Sequence, residues 1–385
     1  MSLNDRTAHC TTTQASTPPA AALPITPNET EPFARMPMIP QSTEQNNPKP
    51  WQRQLAEAFR DLPALLDFIQ LSISDLAKAH QTSFAEFLLT ANTSGFPLRV
   101  PQAYATRIRP GDAKDPLLLQ VLPQPQELET HPGFVHDPLH ESQALAGQGL
   151  LQKYHGRLLV IAHNQCAVHC RYCFRRHFPY AEQHLPPNQW QHLADHIAQD
   201  KSLNEIILSG GDPLTLKNHH LELLTPLLYA HPHIRRLRLH TRFPVMIPDR
   251  LDSGFLTWAS ALPIPLVLVL HINHAQEIDQ ALAKAIQPLR QNHITLLNQS
   301  VLLRGINDSV DAQQQLQERL MDIGILPYYV HLLDPVHGAQ HFDVPLAQAQ
   351  TMMQQLRARL PGYLVPRLVH EEPGAPAKTL APLAL

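Results

Sequence analysis

Residues 164–176 read Asn-Gln-Cys-Ala-Val-His-Cys-Arg-Tyr-Cys-Phe-Arg-Arg and contain three of the four cysteines in this 385-residue chain. Cys166, Cys170 and Cys173 are spaced Cys-x3-Cys-x2-Cys. Three thiolates can bind three irons of a cubane iron–sulfur cluster and leave the fourth iron without a protein ligand. An iron with an open position can bind and react, whereas a fully ligated cluster mainly transfers electrons. The stretch therefore predicts a reactive 4Fe-4S cluster.

A zinc site and a set of buried structural cysteines are weaker interpretations of this triad. A structural zinc site normally has four ligands, typically from two Cys-x2-Cys pairs, and this chain has one such pair. His163, His169 or His177 could supply a fourth ligand, but ligands this close in sequence make a tetrahedral arrangement awkward. Buried structural cysteines would lie among aliphatic residues, whereas these follow a predicted strand and stand among Gln, His, Arg and Tyr. The open cluster is therefore the preferred interpretation.

The composition is typical of a globular protein with a large core. Apolar residues make up 43% of the chain and the net charge is −3, which indicates no nucleic-acid-binding surface. No apolar run approaches the roughly 18 residues of a membrane span, and the N-terminus lacks a secretory pattern. Clustered free thiols require a reducing compartment, so we expect a cytoplasmic protein that binds neither nucleic acid nor membrane. Cys10, in a polar tail, is interpreted as an incidental thiol.

We predict four regions along the chain. Residues 1–49 contain no glycine and many Pro, Thr and Ser residues, which indicates a disordered extension. Residues 50–150 form a helical N-terminal region, because apolar residues recur at helical spacing over 51–69 and again near 75–89. Residues 151–345 form an α/β barrel domain, and residues 346–385 form a C-terminal helix followed by a lysine-bearing segment.

The barrel prediction depends on six short β-rich runs that alternate with helical patterns. After the first interval the runs fall about thirty residues apart, the length of a strand and a return helix in a parallel sheet. Six units are too few for a closed eight-fold barrel and indicate an open, partial (β/α)6 barrel, whose chemistry gathers at the carboxyl ends of the strands. The strands are predicted at 158–161, 205–208, 237–240, 266–270, 295–297 and 327–330, and the helices at 189–199, 221–230, 278–292 and 311–323.

A second motif follows the second predicted strand, where residues 209–213 read Ser-Gly-Gly-Asp-Pro. Alone, Gly-Gly-Asp-Pro is a common turn. Together with Cys-x3-Cys-x-aromatic-Cys it resembles the radical S-adenosylmethionine enzymes, in which S-adenosylmethionine occupies the open iron and is split to an adenosyl radical. The resemblance implies that Tyr172 lies against the adenine, and that Gly210, Gly211 and Asp212 form the loop at the methionine end of the cofactor.

Longer motifs make the resemblance more specific. Residues 170–178 (Cys-Arg-Tyr-Cys-Phe-Arg-Arg-His-Phe), 271–277 (His-Ile-Asn-His-Ala-Gln-Glu) and 327–331 (Pro-Tyr-Tyr-Val-His) are similar to the lysine 2,3-aminomutase family, and the similarity covers residues 51–382. This family combines the adenosyl radical with pyridoxal phosphate and moves the amino group of L-lysine from C2 to C3. Residues 171–180 look closest to the members that make (R)-β-lysine for modification of elongation factor P.

The resemblance also implies roles for eight further residues. A lysine must bind pyridoxal phosphate, an arginine suits the substrate carboxylate, and acidic residues suit the distal ammonium. By resemblance, the pyridoxal phosphate residues are Lys378, Tyr154 and Arg157, the substrate residues are Arg175, Asp334 and Glu371, and the S-adenosylmethionine residues are His271 and Gln299. Lys378 and Arg175 are the predicted catalytic residues.

Partners and assembly are likewise implied by the resemblance. They comprise L-lysine, elongation factor P with the synthetase that attaches β-lysine to it, and a flavodoxin or ferredoxin as electron donor. No cysteine follows Cys173, and Ser309 stands where relatives carry a zinc-binding cysteine, so we expect no zinc and a monomer or dimer. The alternatives are an aminomutase acting on free lysine or another amino acid for metabolism, and a non-catalytic metal-binding scaffold.

Overall fold

The computed structural model describes residues 50–381. The predicted disordered extension at 1–49 and the thiol of Cys10 lie outside the described residues. The boundaries of the other three predicted regions stay predictions.

Ten strands form one sheet whose spatial order follows the chain from β1 to β10. Strands β3 to β9 run parallel, while β1, β2 and β10 pair antiparallel at the two edges. The strands are β1 (Leu145–Gly147), β2 (Leu150–Leu151), β3 (Arg157–His163), β4 (Glu205–Gly210), β5 (Arg236–Thr241), β6 (Leu266–His271), β7 (Thr295–Val301), β8 (Leu326–His331), β9 (Arg367–His370) and β10 (Thr379–Leu380). Within residues 50–381 the ladder does not return to its start.

The predicted open (β/α)6 barrel is therefore confirmed by β3 to β8, each of which covers one of the six predicted runs. The seventh parallel strand, β9, and the antiparallel edge strands were not predicted. β9 contributes four residues, Arg367–His370, to the edge of the sheet. Such a short run carries too little periodicity to be separated from a loop.

Helices connect the parallel strands and cover the outer face of the sheet. The N-terminal region holds α1 (Trp51–Ala56), α2 (Leu62–Phe68), α3 (Ile73–His80), α4 (Phe84–Thr93), α5 (Gln102–Ala105) and α6 (Pro116–Leu119). The barrel holds α7 (Tyr180–Gln183), α8 (Trp190–Gln199), α9 (Asn218–Tyr229), α10 (Phe243–Met246), α11 (Ser253–Ser260), α12 (Gln280–Gln291), α13 (Val310–Asp322) and α14 (Leu346–Arg359). The four helices predicted between strands correspond to α8, α9, α12 and α13.

The N-terminal helices differ from the expectation, because each of the two predicted helical stretches is divided. Asp61 accepts a hydrogen bond from the Ala64 N–H and caps a new helix, α2, after the chain pairs briefly at Phe59 with Val100. The second stretch breaks where α3 ends at the left-handed residue Gln81 and a capping box starts α4. Local capping thus overrides the apolar period.

The amphipathic face of α12 shows how a return helix is held on the sheet. Leu282, Ile286 and Leu289 recur at i, i+4 and i+7 and are fully buried. Asp279 accepts a hydrogen bond from the Leu282 N–H and caps the first turn. Burying such side chains stabilises the packing by about 1.5–3 kcal/mol each. The helices in this way fix the strands whose carboxyl ends bear the polar residues of the cavity.

Candidate active site

A cavity of about 460 Å³ lies at the carboxyl ends of the parallel strands, a volume suited to small-molecule ligands. The strand ends β4 to β8 all contribute to its wall. Every site residue predicted from the sequence lines it: Cys166, Cys170, Cys173, Tyr172, Arg175, Gly210, Gly211, Asp212, His271, Gln299, Tyr154, Arg157, Asp334, Glu371 and Lys378. The structure therefore brings together residues that span more than 200 positions of the chain.

The three cysteines lie in the loop that follows β3. Burial and the neighbouring thiols raise the pKa of Cys166, and burial followed by Cys170 raises the pKa of Cys173 to about 11. The Arg242 guanidinium donates a hydrogen bond to the Cys170 Sγ over 2.7 Å. When these thiols are deprotonated, their negative charges repel one another. A cationic metal group that binds all three would stabilise the thiolate forms. This donor set fits an iron–sulfur cluster with one open iron.

A buried carboxylate fixes the cysteine loop. Glu127 accepts hydrogen bonds from Arg171 Nε and from Arg176 Nη2, over 2.8 and 2.7 Å. Burial opposes ionisation, but the two guanidinium groups hold the pKa of the Glu127 carboxyl below its usual value. Glu127 was not predicted from the sequence, because a residue 44 positions from its partner leaves no local pattern.

The Gly-Gly loop lies directly on the cysteine loop. Gly210 has φ +111°, which disfavours every residue with a side chain. A Cβ on Gly211 would lie 2.5 Å from the Gln165 carbonyl oxygen. The Gly211 N–H donates to the His163 carbonyl over 3.0 Å, which closes the contact between the loops. Bare backbone here lets the two loops touch, and the role at the methionine end of the cofactor stays a prediction.

Asp212 is a buried positioning residue. Its Oδ1 accepts from the Leu214 N–H and the Thr241 hydroxyl, over 3.0 and 2.6 Å. Its Oδ2 accepts from the backbone N–H groups of Arg242 and Phe243, over 2.7 and 2.9 Å. Both oxygens are thus used to join the ends of β4 and β5. We infer that Asp212 acts on the cofactor pocket through backbone geometry.

Tyr172 and His271 form one hydrogen-bonded unit. The Tyr172 hydroxyl accepts from Arg242 and from Asn273 Nδ2 and lies 2.8 Å from His271 Nε2. Its own proton faces two acceptors, the imidazole and the more distant Gln120 Oε1 at 3.4 Å. Burial followed by Arg242 lowers the pKa of His271 well below its usual value. Gln299 pairs with His271 in the sheet, at the ends of β7 and β6. Tyr172, His271 and Gln299 are uncharged, and Arg242 is the cation beside them. Such a surface suits a stacked aromatic base.

The predicted pyridoxal phosphate residues meet at the other side of the cavity. The Arg157 guanidinium lies 5.0 Å from the centre of the Tyr154 ring. The Tyr154 hydroxyl is buried and lies near the Glu371 carboxylate, without a well-aligned hydrogen bond among residues 50–381. Burial and the nearby Glu371 carboxylate raise its pKa. A buried hydroxyl and a guanidinium over the same ring fit a phosphate group, which accepts hydrogen bonds from both.

Five charged residues form a chain along the cavity wall. The Arg175 guanidinium donates to both oxygens of Glu141, over 2.6 and 2.7 Å. Lys153 lies 3.0 Å from Glu141 and 3.0 Å from Glu371, and Lys378 donates to Glu371 over 2.6 Å. Although burial opposes it, Lys378 and Lys153 hold the pKa of Glu371 well below its usual value. The chain links the predicted carboxylate clamp to the predicted cofactor lysine.

Lys153 and Glu141 were not predicted from the sequence. Lys153 and Glu371 are separated by 218 positions, so only the fold brings them together. Four further cavity residues, which lie in or directly after β5 and β8, were also missed. Each has a buried nitrogen without a hydrogen-bond partner among residues 50–381, and the four are Arg238, His240, Arg242 and His331. Polar residues at strand ends were the available signal.

Replacing Lys153 tests the charged chain. Lys153→Met should lower the free energy of unfolding by about 1.5–3 kcal/mol, because two part-buried hydrogen-bonded carboxylates each lose a cation. It should also raise the KM for substrate, since Glu141 and Glu371 are then positioned less firmly. Urea unfolding and steady-state kinetics measure both effects. The matched control is Lys201→Met at an exposed turn, and equal unfolding midpoints for the two variants would contradict the bridging role.

Comparison with known proteins identifies the family. Residues 160–253 match the model of the Radical SAM superfamily. The L-lysine 2,3-aminomutase of Escherichia coli K12 is 43% identical, over 87% of this chain and 95% of its own. The chain belongs to the lysine 2,3-aminomutase family. The enzymes of the same name from Haemophilus influenzae and Buchnera aphidicola are 44% and 46% identical, over 86% and 74% of this chain and 95% and 83% of their own.

Membership in this family makes the chain an aminomutase, an isomerase of the radical S-adenosylmethionine type. It also implies three cofactors, a 4Fe-4S cluster, S-adenosylmethionine and pyridoxal phosphate. The thiol triad and the Tyr154–Lys378 side of the cavity fit the first and the last of these. Across residues 50–381, the helices are too short or too polar to cross a membrane. Membership in an enzyme family rules out the alternative of a non-catalytic scaffold. The roles of individual site residues are proposals.

Proposed function

We propose that this aminomutase converts L-lysine to (R)-β-lysine and supplies it, in the cytoplasm, for modification of elongation factor P. The observation that carries the proposal is the placement in one cavity of the cysteine triad, Lys378, Arg175 and the acidic pair Asp334 and Glu371. The acidic pair favours a substrate with a cationic side chain over a carboxylate such as glutamate. The elongation factor link is supported by the resemblance of residues 171–180.

The cofactors divide the chemistry between them. When bound, the cluster and S-adenosylmethionine supply the radical that removes a hydrogen from C3, and pyridoxal phosphate supplies the π system through which the amino group moves from C2 to C3. The protein binds and orients the substrate and excludes water from a reactive radical. The buried walls of the cavity suit this task.

Arg175 is proposed to bind the substrate carboxylate. Glu141 occupies its Nε and Nη2 atoms, so the guanidinium is held in one orientation. Its Nη1 is 3.4 Å from the Ser209 hydroxyl at the end of β4 and remains the edge available to a ligand. A guanidinium that is fixed before binding loses less entropy when it engages a carboxylate. Glu141 is therefore a positioning residue for the clamp.

Asp334 and Glu371 are proposed to bind the ε-ammonium group. Burial and the Glu371 carboxylate raise the pKa of Asp334 to about 7. Lys378 donates to Oε2 of Glu371 over 2.6 Å while Lys153 donates to Oε1 over 3.0 Å, so a Lys378 engaged with pyridoxal phosphate would leave Oε2 open. The substrate ammonium can then replace the lysine as its partner.

The pH dependence of catalysis tests the role of Asp334. Its carboxyl is protonated below about 7 and ionised above, so kcat/KM for L-lysine should rise as the pH increases through about 7. Asp334→Asn should remove this rise and lower kcat/KM at high pH by about 10–100-fold, the value of one charged hydrogen bond. Glu372→Gln, at the exposed neighbour of Glu371, is the matched control. An unchanged pH profile in Asp334→Asn would reject the assignment.

A coupled assay tests the destination of the product. The loaded enzyme, L-lysine, elongation factor P and its synthetase are incubated together without oxygen. We expect the factor to gain the mass of one β-lysyl group, faster than with L-lysine and synthetase alone. If synthetic (R)-β-lysine is attached but the enzyme product is not, the enzyme instead serves free amino acid metabolism or makes another isomer.

A further inference from the structure

Three histidines meet outside the cavity, on segments that are far apart in the chain. His136, His177 and His337 each present a ring nitrogen, and these atoms lie within 4.8 Å of one another. The ring centres of His136 and His177 are 4.3 Å apart, and that of His337 is 5.3 and 5.8 Å from them. None of the three lines the cavity. They have no part in the reaction proposed for the cavity.

The backbone holds these histidines together. Val135 and Val336 form a parallel bridge, in which the Val135 N–H donates to Pro335 O and the His337 N–H donates to Val135 O, each over 2.9 Å. His177 Nε2 lies 3.1 Å from the His337 carbonyl oxygen. Main-chain contacts therefore fix the segments that carry His136 and His337, and the contact with the His337 carbonyl fixes the ring of His177.

The hydrogen bond to the carbonyl also selects the metal-binding nitrogen of His177. A carbonyl oxygen only accepts, so His177 Nε2 carries the proton and Nδ1 keeps its lone pair. Ligating histidines commonly donate their other N–H to a carbonyl in this way. The nearby Arg176 shares the Glu127 carboxylate with Arg171. Burial, followed by His136 and Arg176, lowers the pKa of His177 and of His337, so these two residues offer neutral imidazoles to a cation.

We propose that His136, His177 and His337 form a binding site for a divalent transition-metal ion, namely Zn²⁺. Imidazole nitrogens suit zinc, which binds three histidines and leaves a fourth position to water. At a zinc–nitrogen distance of about 2.1 Å, tetrahedral ligands lie about 3.4 Å apart. The present separation of at most 4.8 Å closes to this value by rotation of side chains, of which His136 is the exposed one.

The position of the site in the fold gives it a structural role. His136 precedes Glu141 by five residues, His177 follows Arg175 by two, and His337 follows Asp334 by three. A bound ion would therefore tie together the three segments that carry the carboxylate clamp and one ammonium ligand. The expectation of no zinc was based on missing cysteines and did not consider histidines from separate segments.

Zinc binding to the cluster-loaded enzyme tests the site without relying on activity. The enzyme is treated with a chelator at constant iron content and then dialysed against micromolar Zn²⁺. We expect one zinc per chain, a higher Tm, and, with Co²⁺ instead, visible bands of a tetrahedral ion. His136→Ala should reduce zinc affinity by at least about 100-fold, since the loss of even an outer-shell partner costs about 10–100-fold.

The controls separate this site from other metal ligands. His219→Ala removes an exposed histidine from a pair whose ring centres are 4.0 Å apart, and should keep full zinc binding. His337→Ala should behave like His136→Ala. Equal zinc binding in wild type and in both cluster variants, or no zinc bound by wild type at micromolar concentration, would overturn the proposal. These readouts are independent of whether β-lysine is the product.

Discussion

Lys378→Ala should abolish aminomutase activity and the visible absorbance of lysine-bound pyridoxal phosphate, while iron content stays unchanged. The activity should fall on the order of 10³-fold or more, because the group that anchors the cofactor is lost. The protein should still fold, since Glu371 keeps Lys153 as a partner at 3.0 Å. Absorbance spectra, iron analysis and a product assay of the same preparation measure these outcomes.

Two further variants make this result decisive. Lys201→Ala, at an exposed turn, should retain both absorbance and activity. Lys153 also lines the cavity and is the competing candidate for the cofactor lysine. If the absorbance persists in Lys378→Ala and disappears in Lys153→Met, the assignment of the two lysines must be exchanged.

Cys166→Ala should produce the opposite pattern, with loss of the iron–sulfur cluster and retention of pyridoxal phosphate. Two thiolates cannot hold three irons of the cubane, so iron content, the broad brown absorbance and activity should all fall to background. Cys10→Ala is the matched control, because the sequence predicts an incidental thiol there. Full iron content in Cys166→Ala would show that another residue completes the cluster site.

Much of the fold could be predicted because its signals are local. Most strands from β3 to β8 contain a short apolar run, β5 alternates leucine with polar residues, and after the first interval the strands recur about thirty residues apart. The division of the N-terminal helices at Asp61 and Ser83 was predictable in principle from capping residues, but the apolar period was given more weight. β9 and β10 form only by pairing at the edge of the sheet, with four and two residues.

The candidate site likewise contains some residues that local sequence patterns predict and others that they do not. Cysteine spacing and the glycine pair are local patterns, and the structure places both in the cavity wall. The partners that orient the site, Glu127, Glu141 and Lys153, each contact a charge at least 34 positions away, and the separation between Lys153 and Glu371 is 218 positions. Ion pairs over such separations leave no periodicity or motif in the sequence. Only the fold reveals that Arg175, the proposed carboxylate clamp, and Lys378, the proposed cofactor lysine, share one chain of charges.

The central claim is that the cavity moves the amino group of L-lysine from C2 to C3. Its most direct test is an anaerobic incubation of the enzyme, loaded with its cluster and pyridoxal phosphate, with S-adenosylmethionine, a reductant and L-lysine labelled with heavy nitrogen at C2. The account predicts (R)-β-lysine that carries the label at C3, and no product when any cofactor is omitted. The absence of β-lysine from fully loaded enzyme, or β-lysine that has lost the label, would contradict it.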